Sequence, residues 1–117
     1  MAILTNPQAI LSRDDATYSE VDVPEWGGSI RIKSLSGAER TQILKAMQRN
    51  KETVDGVFEK LIILGAVDEN GKKLFTDDTA TLAILQSKDA GVTRRIGEAV
   101  LKLSGIAAGS AESAEKN

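Results

Sequence analysis

Residues 29–44, SIRIKSLSGAERTQIL, constrain the fold more than any other stretch, because an alternating strand runs there straight into a capped helix. Ile30 and Ile32 fall on one side of an extended segment and Arg31 and Lys33 on the other, since strand side chains alternate faces with a period of two. Ser36 and Glu39 have the spacing of a capping box: the hydroxyl accepts from the third helical amide, and the carboxylate accepts from the amide of the cap residue. The helix that starts here carries a narrow apolar stripe of Ile43, Leu44 and Met47 beside Arg40, Lys45, Gln48 and Arg49. A strand and a helix must therefore share one core.

The neighbouring segments extend this pattern. Tyr18 to Val23 alternates in the same way, so pairing with residues 29–33 across the loop Pro24 to Gly28 sets Val21 and Val23 beside Ile30 and Ile32, and an acidic outer face against Arg31 and Lys33. Trp26 sits at the tip of that hairpin, either folded back as a lid on its own core or projecting as an anchor for a partner. Val54, Val57, Phe58, Leu61 and Ile62 follow the i, i+3, i+4, i+7, i+8 template, which predicts a core helix from about Thr53 to Leu64. Asn70-Gly71 reads as the type I′ turn of a second, short hairpin in which Glu69 faces Lys72 and Val67 faces Leu74. Asp77 and Asp78 open a short helix that runs to about Gln86. A final helix from about Asp89 to Ser104 buries Val92, Ile96, Ala99, Val100 and Leu103, carries Arg94–Glu98 and Glu98–Lys102 charge pairs on its wet face, and stops at Gly105.

The expected product is a mainly α, α+β domain of about four helices with an N-terminal β-hairpin and a second short hairpin, centred on Phe58, Leu61, Ile62, Ile96, Val100 and Leu103. It spans residues 18–106, between an N-terminal arm, 1–17, and a small, polar, flexible tail, 107–117. The arm holds two copies of Ala-Ile-Leu, at 2–4 and 9–11, and Pro7 between them argues against one continuous helix through both. Ile3, Leu4, Ile10 and Leu11 are left to dock on their own domain or on a neighbouring subunit. With Trp26 and the adjacent Arg94 and Arg95, they are the candidate partner-binding residues.

Composition narrows the function. The 117 residues include no cysteine and no histidine, which removes the commonest general base, the commonest metal ligand and the best nucleophile. No cofactor or metal site is expected, and the chain does not read as an enzyme. A formal charge of −2 and a pI near 5.2 supply no field that would draw it to nucleic acid or an anionic membrane. Aromatic residues, 3% of the chain, are too few for a base-stacking platform. No apolar run approaches the roughly 20 residues of a membrane span. The expected partner is a protein and the expected place the cytoplasm.

Three blocks in order, SIRIKSLSGAER at 29–40, LGAVDENGKKLFTDD at 64–78 and GEAVLKLSGI at 97–106, resemble the tail assembly chaperones of long-tailed, lambda-like siphovirus bacteriophages. The resemblance implies a non-catalytic late protein of the host cytoplasm that binds the tape measure protein, promotes tail tube assembly and is absent from the mature virion. It also implies a longer form, made by ribosomal frameshifting, that recruits the tail tube protein; Glu115, Lys116 and Asn117 are compatible with the slip string A AAA AAC. Weak self-association through the arm is expected as well. A minor structural or completion protein retained in the virion would have much the same composition and is the competing expectation.

Overall fold

The computed structural model describes residues 2–49 and 56–106. In chain order these form α1 (Pro7–Ser12), β1 (Tyr18–Val23), a 3-10 turn (Pro24–Trp26), β2 (Gly28–Lys33), α2 (Gly37–Arg49), α3 (Val57–Gly65), β3 (Ala66–Val67), α4 (Thr79–Gln86) and α5 (Ala90–Leu103). The strands make one antiparallel sheet in the order β1-β2-β3. The α+β class expected from the alternating strand and capped helix is the class found, with α1 as an additional helix.

The first hairpin has the expected register, with Val21 opposite Ile30 and Glu20 opposite Arg31. Gly27 adopts φ 88°, a left-handed value that a side chain would strain, and this closes the tip. The capping box forms at both ends: the Ser36 amide donates to Glu39 Oε1 at 2.9 Å, and the Glu39 amide donates to Ser36 Oγ at 3.2 Å. At the other end of the fold Gly105, at φ 76°, terminates α5. The Ile106 amide reaches back to the Leu101 carbonyl at 2.8 Å and the Gly105 amide to that of Lys102 at 3.1 Å, while Ile106 is buried. That is a Schellman stop with its usual apolar contact.

Three expectations are corrected. The central helix begins at Val57, not Thr53, because Gly56 has φ 85° and stands outside the helix as its cap; Thr53 and Val54 lie outside the described residues, as does the tail 107–117. The second turn is not type I′, since Gly71 (φ 81°) has a positive φ and Asn70 does not. The Gly71 amide instead closes on the Asp68 carbonyl at 3.1 Å, and Asp68 Oδ1 accepts from the Asn70 and Lys72 amides at 2.8 and 3.0 Å. This is a three-residue loop with glycine at the left-handed position. It moves the register by one, so Val67 faces Lys73 instead of Leu74. Its first strand is β3, which pairs with β2 through Arg31–Val67 and Ile32–Ala66, so the second hairpin is an extension of the first. Lastly, Glu98 takes Arg94 as its ion-pair partner at 2.8 Å, and among the described residues no pair joins it to Lys102.

The core gathers around α3. Leu61, Ile62, Ile96 and Val100 are fully buried at its centre, as expected, whereas Phe58 and Leu103 are half-buried at its margin. Ile63, Leu64, Ala66 and Val67 are buried too. The second half of α3 is thus enclosed all round, which a single stripe did not capture. Contact between α3 and α5 is close enough to need glycine on both helices: a Cβ at Gly65 would stand 2.8 Å from both methyls of Val100, and one at Gly97 would stand 3.1 Å from the Phe58 Cα.

Candidate protein-interaction surface

The arm is ordered locally without being packed. Asn6 Oδ1 accepts from the Gln8 and Ala9 amides at 3.1 and 3.3 Å, and Pro7, which lacks an amide hydrogen, occupies the first helical position. Pro7 thus starts a helix while preventing one from running through both Ala-Ile-Leu copies. The arm's root is fixed to the sheet. Asp14 accepts from the Tyr18 hydroxyl at 2.9 Å and the Ala16 amide at 3.2 Å, and the Arg31 guanidinium lies 4.6 Å from the centre of the Tyr18 ring. Those hydrogen bonds hold the Asp14 carboxyl below its ordinary value and push the Tyr18 phenol up. No residue of α1 is buried. Ile3, Leu4, Ile10 and Leu11 are 88, 77, 48 and 83% exposed.

Trp26 is half-buried against the core. The adjacent Glu25 receives both arms of the Arg95 guanidinium, at 2.9 and 2.6 Å, and Arg95 also reaches the Asp22 carbonyl at 3.4 Å. This bidentate grip lowers the Glu25 carboxyl to about 2 and raises Arg95. Arg95 therefore clamps α5 to Glu25 at the hairpin tip, where Trp26 is the next residue in the chain. The fold separates Arg94, which pairs with Glu98 along its own helix, and it separates the arm.

A second electrostatic joint was not anticipated. Glu39, besides capping α2, pairs with Lys33 of β2 at 3.3 Å and with Lys73, which also donates to the Leu64 carbonyl. Burial pushes the Glu39 carboxyl up, but the Lys73 hydrogen bond, the Ser36 amide and the two positive charges outweigh that and leave it below the usual range. Further along, Asp77 is held by Lys60 of α3 at 2.6 Å. The segment 73–77 is consequently tied to α2 at one end and α3 at the other. Between it and those helices lies a cavity of about 540 Å³ of mixed lining, with Ile63, Leu64, Leu74 and Phe75 beside Glu39, Gln42, Lys73, Thr76 and Asp77.

Leu74 and Ile84 are exposed, at 48 and 60%, and sequence reasoning passed over both. A signal existed for Ile84: TATLAILQ in α4 contains no charged residue and more apolar side chains than one buried face can use. Among the described residues no group of three or more acidic, histidine or cysteine side chains could hold a metal ion, and no helix is long and apolar enough to cross a membrane.

No protein-family model matches the chain, and no curated protein matches it in sequence. Among solved structures, the tail assembly chaperone of bacteriophage HK97 matches over 82% of this chain and 88% of its own, with a TM-score of 0.59 and 19% identity. The chain has the fold of that chaperone. The resemblance seen in three sequence blocks is thus accompanied by a shared fold over most of both chains.

Proposed function

We propose that the protein is a non-catalytic tail assembly chaperone of a long-tailed phage, which binds the tape measure protein, keeps it soluble and promotes assembly of the tail tube around it. The observation that supports this most is the shared fold, which takes in most of both chains; what the HK97 protein is called does not transfer by itself at 19% identity, so the exposed surface matters beside it. A chaperone of this kind needs apolar contacts that form and release, and among the described residues six large apolar side chains lie in the open. It has no cysteine or histidine with which to perform common chemistry. The reading places the protein in the host cytoplasm and outside the finished particle.

Co-expression tests it. A long, helix-rich tape measure protein from the same genome should move from the insoluble to the soluble fraction and co-purify with the chain. A tape measure protein equally insoluble with and without its neighbour refutes the proposal. Mass spectrometry of purified particles separates it from a retained structural role, which requires stoichiometric presence there. A longer, frameshifted form that recruits the tail tube protein belongs to the same reading, and codons GAA AAA AAC at Glu115, Lys116 and Asn117, with two products on a blot, are its signature; GAG or AAG codons there exclude the slip.

A further inference from the structure

We propose that the free edge of β1 is a strand-addition site for a partner protein, taking an extended segment in which apolar residues alternate with lysine or arginine. β1 is an outer strand of the sheet. The Ser34 amide donates to the Thr17 carbonyl at 2.8 Å, which makes Thr17 and Ser34 a bonded pair at the open end of the hairpin. Bonded and non-bonded pairs alternate along an antiparallel ladder, and the register of β1 on β2 continues from there in step. The backbone groups of Ser19, Val21 and Val23 therefore turn toward β2, whereas those of Tyr18, Glu20 and Asp22 point away from the sheet.

Among the described residues, one of those outward groups has a partner: the Asp22 carbonyl, which the Arg95 guanidinium reaches at 3.4 Å. Arg95 thus closes the edge next to the hairpin tip and leaves the amides and carbonyls of Tyr18 and Glu20 open. A row of unpaired backbone groups on an outer strand is a template for another strand.

Side chains select what the edge takes. Glu20 and Asp22 are exposed on the outer face, and neither has an ion-pair partner among the described residues. Arg31, opposite Glu20, instead donates to the Glu69 carbonyl at 3.1 Å and lies over the Tyr18 ring, while the Asp22 carboxylate accepts from the Ser29 hydroxyl at 3.0 Å. A strand added beside β1 sets one residue opposite Glu20 and the next on the other face beside Val21, which packs against the core. A basic residue followed by an apolar one matches both. β2 already meets β1 in this way from the other side, with Arg31 opposite Glu20 and Ile30 opposite Val21. The β1 strand of a second copy does not match, because antiparallel pairing about Glu20 sets carboxylate against carboxylate, and parallel pairing brings Glu20 and Asp22 each against its own kind. The carboxylates that bar a second copy thus favour a basic partner. Recognition of this kind does not depend on the tape measure reading, because it requires only the pattern.

The probe is an acetylated, amidated peptide Gly-Ser-Ile-Arg-Ile-Lys, the sequence of β2 itself, added to the full chain and followed by NMR. Binding should slow exchange of the Tyr18 and Glu20 amides at least about tenfold while Ser19 and Val21 keep the protection they already have. A counterpart with glutamate at both basic positions should bind about tenfold more weakly. Glu20→Pro removes an outward amide that β2 does not use and should abolish the added protection. Glu20→Gln keeps that amide and loses the charge; it should weaken binding of the basic peptide about threefold, and it carries the test if circular dichroism shows that Glu20→Pro loses sheet. Tyr18 and Glu20 amides that exchange equally fast with and without the basic peptide, or equal binding of the two peptides, would overturn the proposal. So would loss of protection at Ser19 and Val21, which marks displacement of β2, or protection of Tyr18 and Glu20 that rises with protein concentration alone, which marks a second copy on the edge.

Discussion

Gly97→Ala tests the closest helix contact in the fold, and the structure sets two opposing effects against each other. In an unhindered helix interior, alanine is favoured over glycine by about 0.8–1.0 kcal/mol. Here the new methyl would stand 2.8 Å from Phe58 Cδ1 and 3.1 Å from the Phe58 Cα. The ring can turn away, because Phe58 is half-buried at the margin of the core. The Cα cannot, because it moves only with α3. Overpacking of this kind costs about 1–3 kcal/mol, and where backbone must yield the upper part of the range applies, so a net loss of about 1–2 kcal/mol is expected.

Gly37→Ala is the control. Gly37 begins α2, and no atom lies within 4 Å of where its Cβ would be; restricting the unfolded chain should stabilise by about 0.4–1 kcal/mol. Urea melts followed by circular dichroism should therefore move in opposite directions for the two variants, with unchanged slopes. Adding Phe58→Ala to Gly97→Ala should leave most of the Gly97→Ala loss in place, since alanine keeps the Cα and Cβ that the new methyl would meet at 3.1 Å and removes only the ring. A Gly97→Ala protein as stable as wild type with the same slope, or a Gly97→Ala effect abolished by removing the Phe58 ring, would show that the backbones of α3 and α5 are not in the contact described.

Other outcomes follow from the same geometry. Leu61→Ala, at a fully buried site, should lose about 2–5 kcal/mol in the same melts; a loss below about 1 kcal/mol would place that face outside the core. The Glu39 carboxyl is depressed from its ordinary 4.5 in the folded state, so its contribution is present above that value and disappears as pH falls through the folded one. Glu39→Gln should accordingly be less stable than wild type by about 1–3 kcal/mol at pH 7 and converge with it once pH falls below the depressed folded value, and a gap that stays constant as the solution is acidified would remove the ion-pair explanation. NMR titration should find the Glu25 carboxyl near 2 and, in Arg95→Ala, returned towards 4.5; an unmoved midpoint would mean that Arg95 does not hold it.

Much of the fold was legible because its local signals were short-range and mutually consistent. The capping box, the alternation of 18–23 and 29–33 and the Gly105 stop each concern residues within a few positions of one another, and each forms with the partners that their spacing implies. The errors divide between a local acceptor that outcompeted the turn's composition and a tertiary contact. Asn70-Gly71 has the composition of a type I′ turn, yet Asp68 Oδ1 collects the Asn70 and Lys72 amides and fixes a three-residue loop instead. Phe58 and Leu103 belong to the apolar stripes of their helices but stand at the margin, while Ile63 and Leu101 join the expected Leu61, Ile62, Ile96 and Val100 in the buried centre where Gly97 and Gly65 let α3 and α5 approach closely.

The candidate surface divides along the same line. The arm could be read, since two Ala-Ile-Leu copies around a proline have no period that buries them, and exposure there is a local property. The fate of Arg95 could not, because Glu25 lies 70 residues away in the chain; the i,i+4 spacing in RRIGE gives Arg94 its partner Glu98, and nothing local gives Arg95 one. The consequence is chemical as well as positional. Arg95 already shares its charge with two carboxylate oxygens and Arg94 with Glu98, so an acidic partner would have to displace an existing ion pair and gain little from the exchange. The apolar arm has no such internal competitor, and contact through it should respond weakly to salt, whereas contact through the arginine pair should fall steeply as salt rises. Measuring tape measure protein capture at low and at high ionic strength therefore distinguishes the two surfaces: retention at high salt is the result expected, and loss would return the arginines to the interface.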